Sequence, residues 1–160
     1  MHGRNPESRT EVTQFLLDLG LEPVILDEQP GRGRTLIEKI EHYGDVAFAV
    51  VLMLAEDMGG LKHEFDARFG ALERGEVPFS LGHGLAPRAR QNVTFEHGYF
   101  AGRLGRSRMC VLMDRVLDKP SDIDGIEYVP YGPDGVWKGK LERELRAADI
   151  YIQAREGDQH

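Results

Sequence analysis

Val46-Ala47-Phe48-Ala49-Val50-Val51-Leu52-Met53-Leu54 decides how this chain is read. Every residue in the run is apolar. A strand with one wet face alternates apolar and polar residues, whereas a strand covered on both faces does not. The run is too short for a typical buried helix, so it predicts a strand inside a parallel sheet. Met109-Cys110-Val111-Leu112-Met113 reads as another strand, and Ile126-Glu127-Tyr128-Val129 as a short last one. Pro23-Val24-Ile25-Leu26 is also expected to be a strand.

Helical patterns lie between and around these runs. Val12, Phe15, Leu16 and Leu19 recur at the spacing of one helical face over residues 6–19. Asn5 can cap that helix, Pro6 suits its first position, and Gly20 stops it. Thr35-Leu36-Ile37-Glu38 is a capping box that opens a second helix ending near Tyr43-Gly44. Residues 88–104 form a third, with Val93, Phe100, Ala101 and Leu104 as its buried stripe. Residues 136–148 form the last, with Leu141 and Leu145 facing inward. Trp137 at its start suits packing onto the sheet better than stacking on a ligand. Residues 55–87 are expected to be mostly a loop insertion, with Phe65, Phe69 and Leu72 marking a short helix. Residues 119–124 read as a turn or weak helix.

Helices alternating with parallel strands give an α/β fold with helices on both faces of the sheet. Such sheets bind ligands beyond the carboxyl ends of their strands. A doubly wound sheet usually has a strand before its first helix. Only Met1-His2-Gly3 stands there, so a truncated first strand is expected.

The chain has 160 residues, enough for one core and one domain. Residues 1–152 are expected to form it, with 153–160 a polar tail. A net charge of -7 without a long basic run argues against a dedicated nucleic-acid binder. The single cysteine, Cys110, sits in an apolar run and reads as a buried small hydrophobe. With no disulfide possible within the chain, a reducing cytoplasm fits. No run of about 18 apolar residues is present to span a membrane as a helix. The histidines lack zinc-ligand spacing, and no Gly-x-Ser-x-Gly elbow occurs. No metal site is therefore expected.

Glu96 is the residue that invites chemistry. It follows Val93 by three positions and precedes Phe100 by four, so it projects from the apolar face of its helix. Two readings stand. Either the carboxylate lies at the stripe's edge and reaches water, or it is held in a cleft for catalysis. His97 points about 100° away and reads as a surface or packing histidine. Asn92 lies one turn before Glu96 on nearly the same face. Pro30-Gly31-Arg32-Gly33-Arg34-Thr35 places two arginines at a helix start, which suits an anion or simply a surface turn.

Several stretches together resemble a known family. They are His2-Gly3-Arg4-Asn5, Gly20-Leu21-Glu22-Pro23-Val24-Ile25-Leu26-Asp27-Glu28-Gln29-Pro30, Gly33-Arg34-Thr35-Leu36-Ile37-Glu38-Lys39, Asp45-Val46-Ala47-Phe48-Ala49-Val50-Val51-Leu52, Arg88-Ala89-Arg90-Gln91-Asn92-Val93 and Phe95-Glu96-His97-Gly98-Tyr99-Phe100. They resemble the bacterial TIR-like domain of the predicted nucleotide-binding branch, which is also found fused to STING in antiphage effectors. The resemblance implies a flavodoxin-like fold, NAD+ glycohydrolase activity in antiphage defence, and Glu96 as catalytic residue. NAD+ would be substrate rather than cofactor. It also implies a mobile loop at residues 27–34, self-association on activation, and a fused or separate sensor. The family carries an apolar first strand before His-Gly-Arg, and residues 60–86 look longer than is typical.

The chemistry agrees with a single carboxylate. Most glycosidases need two carboxyl groups, one to protonate the leaving group. Nicotinamide in NAD+ is already cationic and leaves neutral. Arg4, Arg32, Arg34 and Arg90 are candidates to meet the pyrophosphate. Asn92 is a candidate for the ribose or carboxamide. Gly3, Asn5, Gly31, Gly33 and Asp57 complete the expected substrate site. Three alternatives remain: an N-glycosidase of the nucleoside deoxyribosyltransferase type, a non-enzymatic TIR assembly module, and a passive nucleotide sensor.

Overall fold

The computed structural model describes residues 5–30, 33–76, 85–117 and 125–153. Helix α1 spans Pro6–Asp18. The Asn5 side-chain oxygen accepts from the backbone N–H groups of Glu7 and Ser8, at 3.0 and 3.1 Å. Helix α2 spans Leu36–Tyr43, and both halves of the Thr35–Glu38 capping box are formed.

Three parallel strands make the main sheet, in the order β1 (Ala49–Met53), β4 (Met109–Asp114), β5 (Glu127–Tyr131). Ala49 lies beside Met109 and Met53 beside Met113; Cys110 lies beside Glu127 and Asp114 beside Tyr131. Helix α4 (Gln91–Leu104) carries the chain back between β1 and β4. Gly105, at φ 79°, ends it in a conformation that L side chains avoid. Helix α5 (Val136–Ala147) closes the fold.

Alternation along each strand splits the core into two layers. Leu52, Cys110, Leu112 and Val129 pack on α1 and α5, against Val12, Phe15, Trp137, Leu141 and Leu145. Ala49, Val51, Met53, Met109, Val111 and Met113 pack on the other side, against Ile40 of α2 and Val93 and Phe100 of α4. A sheet covered on both faces by helices is the α/β architecture that the unbroken apolar runs predict. Trp137 is fully buried and meets Phe15 edge-on, with ring centroids 5.2 Å apart. Cys110 is buried too, and burial pushes its thiol up to about 12.

Three expectations need correction. Residues 23–26 join no strand ladder among the described residues. Residues 21–25 run without regular structure into a 3-10 turn at Leu26–Glu28. A strand exists only where a neighbour shares its hydrogen bonds, and the described sheet offers none there. An apolar groove of about 360 Å³ instead separates Val24 and Ile25 from Val50 and Leu52 of β1. The strand at 46–54 is shorter than its apolar run, because Val46, Ala47 and Phe48 precede the ladder. The insertion is also more ordered than a loop. Strands β2 (Asp57–Gly59) and β3 (Ala86–Arg88) form a small antiparallel ribbon, and helix α3 (Lys62–Glu73) lies between them. The turn expected at 119–124 lies outside the described residues.

Trp137→Ala should cost about 3–5 kcal/mol of stability, the usual cost of emptying a large aromatic site. Thr35→Ala should cost about 1 kcal/mol through the lost cap. Urea midpoints at constant m-value check both, and equal midpoints for the two variants would contradict this account of the core.

Candidate active site

Helix α4 begins where the ribbon returns to the sheet. Its stripe Val93, Glu96, His97 and Phe100 is buried. Glu96 is only 5% exposed, although it carries a carboxyl group. The reading in which it reaches water at the stripe's edge is therefore overturned. Burial on this face follows from spacing: Val93 and Phe100 fasten the helix onto β1 and β4, and Glu96 stands between them.

His97 is also buried, and it is a packing residue rather than a surface one. Its Nε2 lies 3.4 Å from the Tyr128 hydroxyl, while Nδ1 is buried without a hydrogen-bond partner. Burial lowers the His97 pKa from its ordinary value. Asn92, by contrast, is exposed. It sits one residue short of the stripe, and the 40° or so separating positions i and i+4 is enough to leave it in water.

The carboxyl edge of the sheet gathers several of the expected residues. The Asn5 backbone N–H donates to the Glu56 carboxylate at 2.7 Å, just past the end of β1. The Ala55 N–H donates to Asp114 at the end of β4, at 2.8 Å. Asp57 follows on β2, exposed, and is paired in register with Arg88 of β3. Arg90 then caps α4, its carbonyl accepting from the Thr94 N–H at 3.1 Å. Asn5, Asp57 and Arg90 thus lie along one edge. The Asn5 amide oxygen is committed to capping α1.

Arg34 lies just before α2, with Nη1 buried and without a hydrogen-bond partner. Gly33, at φ 75°, makes the turn into it. Gly3, Arg4, Gly31 and Arg32 lie outside the described residues.

A second groove, of about 550 Å³, opens where the ribbon meets α4. Asp57, Met58, Gly59, Arg88, Ala89, Gln91, Thr94 and Phe95 line it. Neither groove has Glu96 among its described lining residues. The groove beside β1 is apolar, lined by Leu16, Val24, Phe48 and Leu52, and offers little for chemistry. The ribbon groove lies on the opposite side of α4's first turns from the buried stripe. Sequence reasoning missed Glu56 and most of this lining. The only signal was the pair of short polar-apolar stretches, 57–59 and 86–88, flanking the insertion. Among the described residues no three His, Cys, Asp or Glu side chains cluster to hold a metal ion, and no helix is long and apolar enough to cross a membrane.

A profile described as the TIR domain of CAP12/Pycsar effector proteins matches residues 1–132. The chain belongs to this TIR family. An Escherichia coli K12 protein described as uncharacterized protein YuaY is 38% identical over 151 residues, covering 94% of this chain and 44% of YuaY. Protein tirC of Dictyostelium discoideum is 30% identical over 152 residues, covering 91% of this chain and 67% of tirC. This TIR domain therefore spans less than half of the first relative and two thirds of the second. No solved structure matches it.

The lowered pKa of His97 has a signed consequence for the TIR domain. Between the ordinary histidine value, about 6.5, and the lower folded value, the unfolded chain binds a proton that the folded chain does not. Stability is full above that window and falls as pH drops through it. Urea midpoints followed from about pH 7.5 to pH 5 should decline, and His97→Gln should flatten the decline. An unchanged slope in His97→Gln would show that another group titrates.

Proposed function

We propose that this TIR domain is an NAD+ glycohydrolase and that Glu96 is its catalytic carboxylate. The observation that supports the reading best is the burial of Glu96 in the second turn of α4, close to the carboxyl edge of a parallel sheet. Ligands of open α/β sheets bind at that edge. A buried carboxylate is costly unless it is paired or used, and sites of chemistry are among the places that keep one.

The reaction breaks the bond between ribose C1' and the nicotinamide nitrogen. Its electron pair passes to the pyridinium, which leaves as neutral nicotinamide. Positive charge builds on the ribose, and water then adds at C1' and gives up a proton, yielding ADP-ribose. No acid is needed for the leaving group, so one carboxylate suffices. Glu96 stabilises the oxocarbenium-like transition state in a site where water is scarce and charge interactions are strong. Arg34, with a buried guanidinium nitrogen lacking a partner, and Arg90, at the start of α4, supply positive charge for the pyrophosphate. Arg4 and Arg32 join them in this reading. In this reading the Asn5 amide and Asp57 are the candidates to meet the ribose hydroxyls. Asn92, being exposed, contributes at most from the rim.

The family's effector character supports a role in antiphage defence, where depletion of NAD+ stops the infected cell. In this reading the domain acts as an assembly, with a fused or separate sensor as trigger.

Glu96→Gln keeps the volume of the side chain and removes its charge. Nicotinamide release from NAD+, followed by chromatography, should fall at least about a hundred-fold. Circular dichroism should match the parent. A folded Glu96→Gln variant that releases nicotinamide at the parental rate would remove Glu96 from the reaction.

A further inference from the structure

We infer that the groove between the β2–β3 ribbon and α4 takes the adenylate half of the dinucleotide, with its base on Phe95, its ribose at Asp57 and its phosphate at Arg88. The inference rests on the proposed cleavage of NAD+ and names where the half remote from the reacting bond is held. Asp57 and Arg88 stand directly opposite each other in the ribbon. Opposite charges in that position ordinarily pair across the strands. Here, among the described residues, their side chains form no ion pair. Arg88 lies along Gly59 instead: a Cβ on Gly59 would stand 2.6 Å from Arg88 Cδ and 2.9 Å from its Nε. The ribbon thus holds a cation and a carboxylate apart, and both line the groove of about 550 Å³.

The rest of the lining indicates what the two charges meet. Phe95 is 46% exposed and Met58 56%, so an aromatic ring and a thioether are left open on the groove walls. Gln91 adds an amide that both donates and accepts. Exposed side chains of each kind are ordinary when scattered. A few polar groups and an aromatic surface converging on one concavity are the usual make-up of a small-molecule site. A nucleotide uses all of them. Its base stacks on an aromatic ring, its ribose hydroxyls donate to a carboxylate, and its phosphate pairs with a guanidinium. The position suits a dinucleotide as well. The groove and Glu96 lie on opposite sides of α4's first turns, with Arg90 at the helix start. A dinucleotide laid across that start has its pyrophosphate between Arg88 and Arg90, one half toward Glu96 and the other in the groove.

Isothermal titration of the whole chain with 5'-AMP, and separately with nicotinamide mononucleotide, tests the proposal. The parent should bind 5'-AMP. Arg88→Ala and Phe95→Ser should each weaken that binding at least about tenfold. Gly59→Ala keeps every charge and should weaken it too, because the added methyl displaces Arg88. Nicotinamide mononucleotide lacks the adenylate half and should bind the parent and the variants alike. In turnover, Arg88→Ala should raise KM for NAD+ at least about tenfold and leave kcat near the parental value. A parent that does not bind 5'-AMP would overturn the proposal. So would variants that bind 5'-AMP as the parent does, or that lose nicotinamide mononucleotide equally. Binding of 5'-AMP that the variants weaken, with NAD+ left uncleaved, would support the groove and count against the proposed chemistry. Arg88 and Phe95 are exposed, so their outcome stands even if Gly59→Ala distorts the ribbon.

Discussion

Glu96 keeps a carboxyl group inside the protein, on the same helical stripe as Val93 and Phe100. That placement sets a conflict between packing and solvation. The two hydrophobic residues draw α4 down onto β1 and β4, and whatever stands between them goes inside as well. Any residue at position 96 is buried by its neighbours, so its chemistry is a matter of choice rather than of geometry. An apolar side chain there would extend the core without cost. A carboxylate forfeits its hydration and has to be paired or used. His97 extends the same theme one position on. Its imidazole is buried against Tyr128 and is held toward its neutral form.

The rest of the fold sets what surrounds that helix. Parallel pairing of β1, β4 and β5 aligns all three carboxyl ends on one edge. The connections leaving those ends tie one another together: Asn5 to Glu56, Ala55 to Asp114, and Asp57 opposite Arg88. Helix α4 starts from the same edge, and its buried stripe runs from Val93 in the first turn through Glu96 to Phe100.

Much of this was legible in the sequence, for physical reasons that differ by element. The unbroken apolar runs at 46–54 and 109–113 announced a sheet covered on both faces. The capping residues Asn5, Thr35 and Glu38 announced helix starts, because they act locally and need no tertiary context. The direction of Glu96 followed from the 3.6-residue period. Residues 23–26 misled because their strand character depends on a neighbour, which no local pattern reveals. Residues 57–59 and 86–88 were unreadable because each is three residues long and their pairing spans the insertion. Asn92 misled because the 40° or so between it and Glu96 round the helix carries it off the buried stripe. The family was legible from combined motifs. The burial of Arg34 Nη1 was not, since burial of a single guanidinium nitrogen is set by packing.

The central claim is that the buried carboxylate serves cleavage of a pyridinium N-glycosidic bond. Proton NMR of the protein incubated at high concentration with NAD+, and separately with 2'-deoxynucleosides, tests it most directly. The account predicts loss of the nicotinamide-ribose anomeric signal, growth of free nicotinamide, and unchanged deoxynucleosides. Free base appearing from the deoxynucleosides while NAD+ stays intact would contradict it, as would NAD+ left whole by protein shown to be assembled.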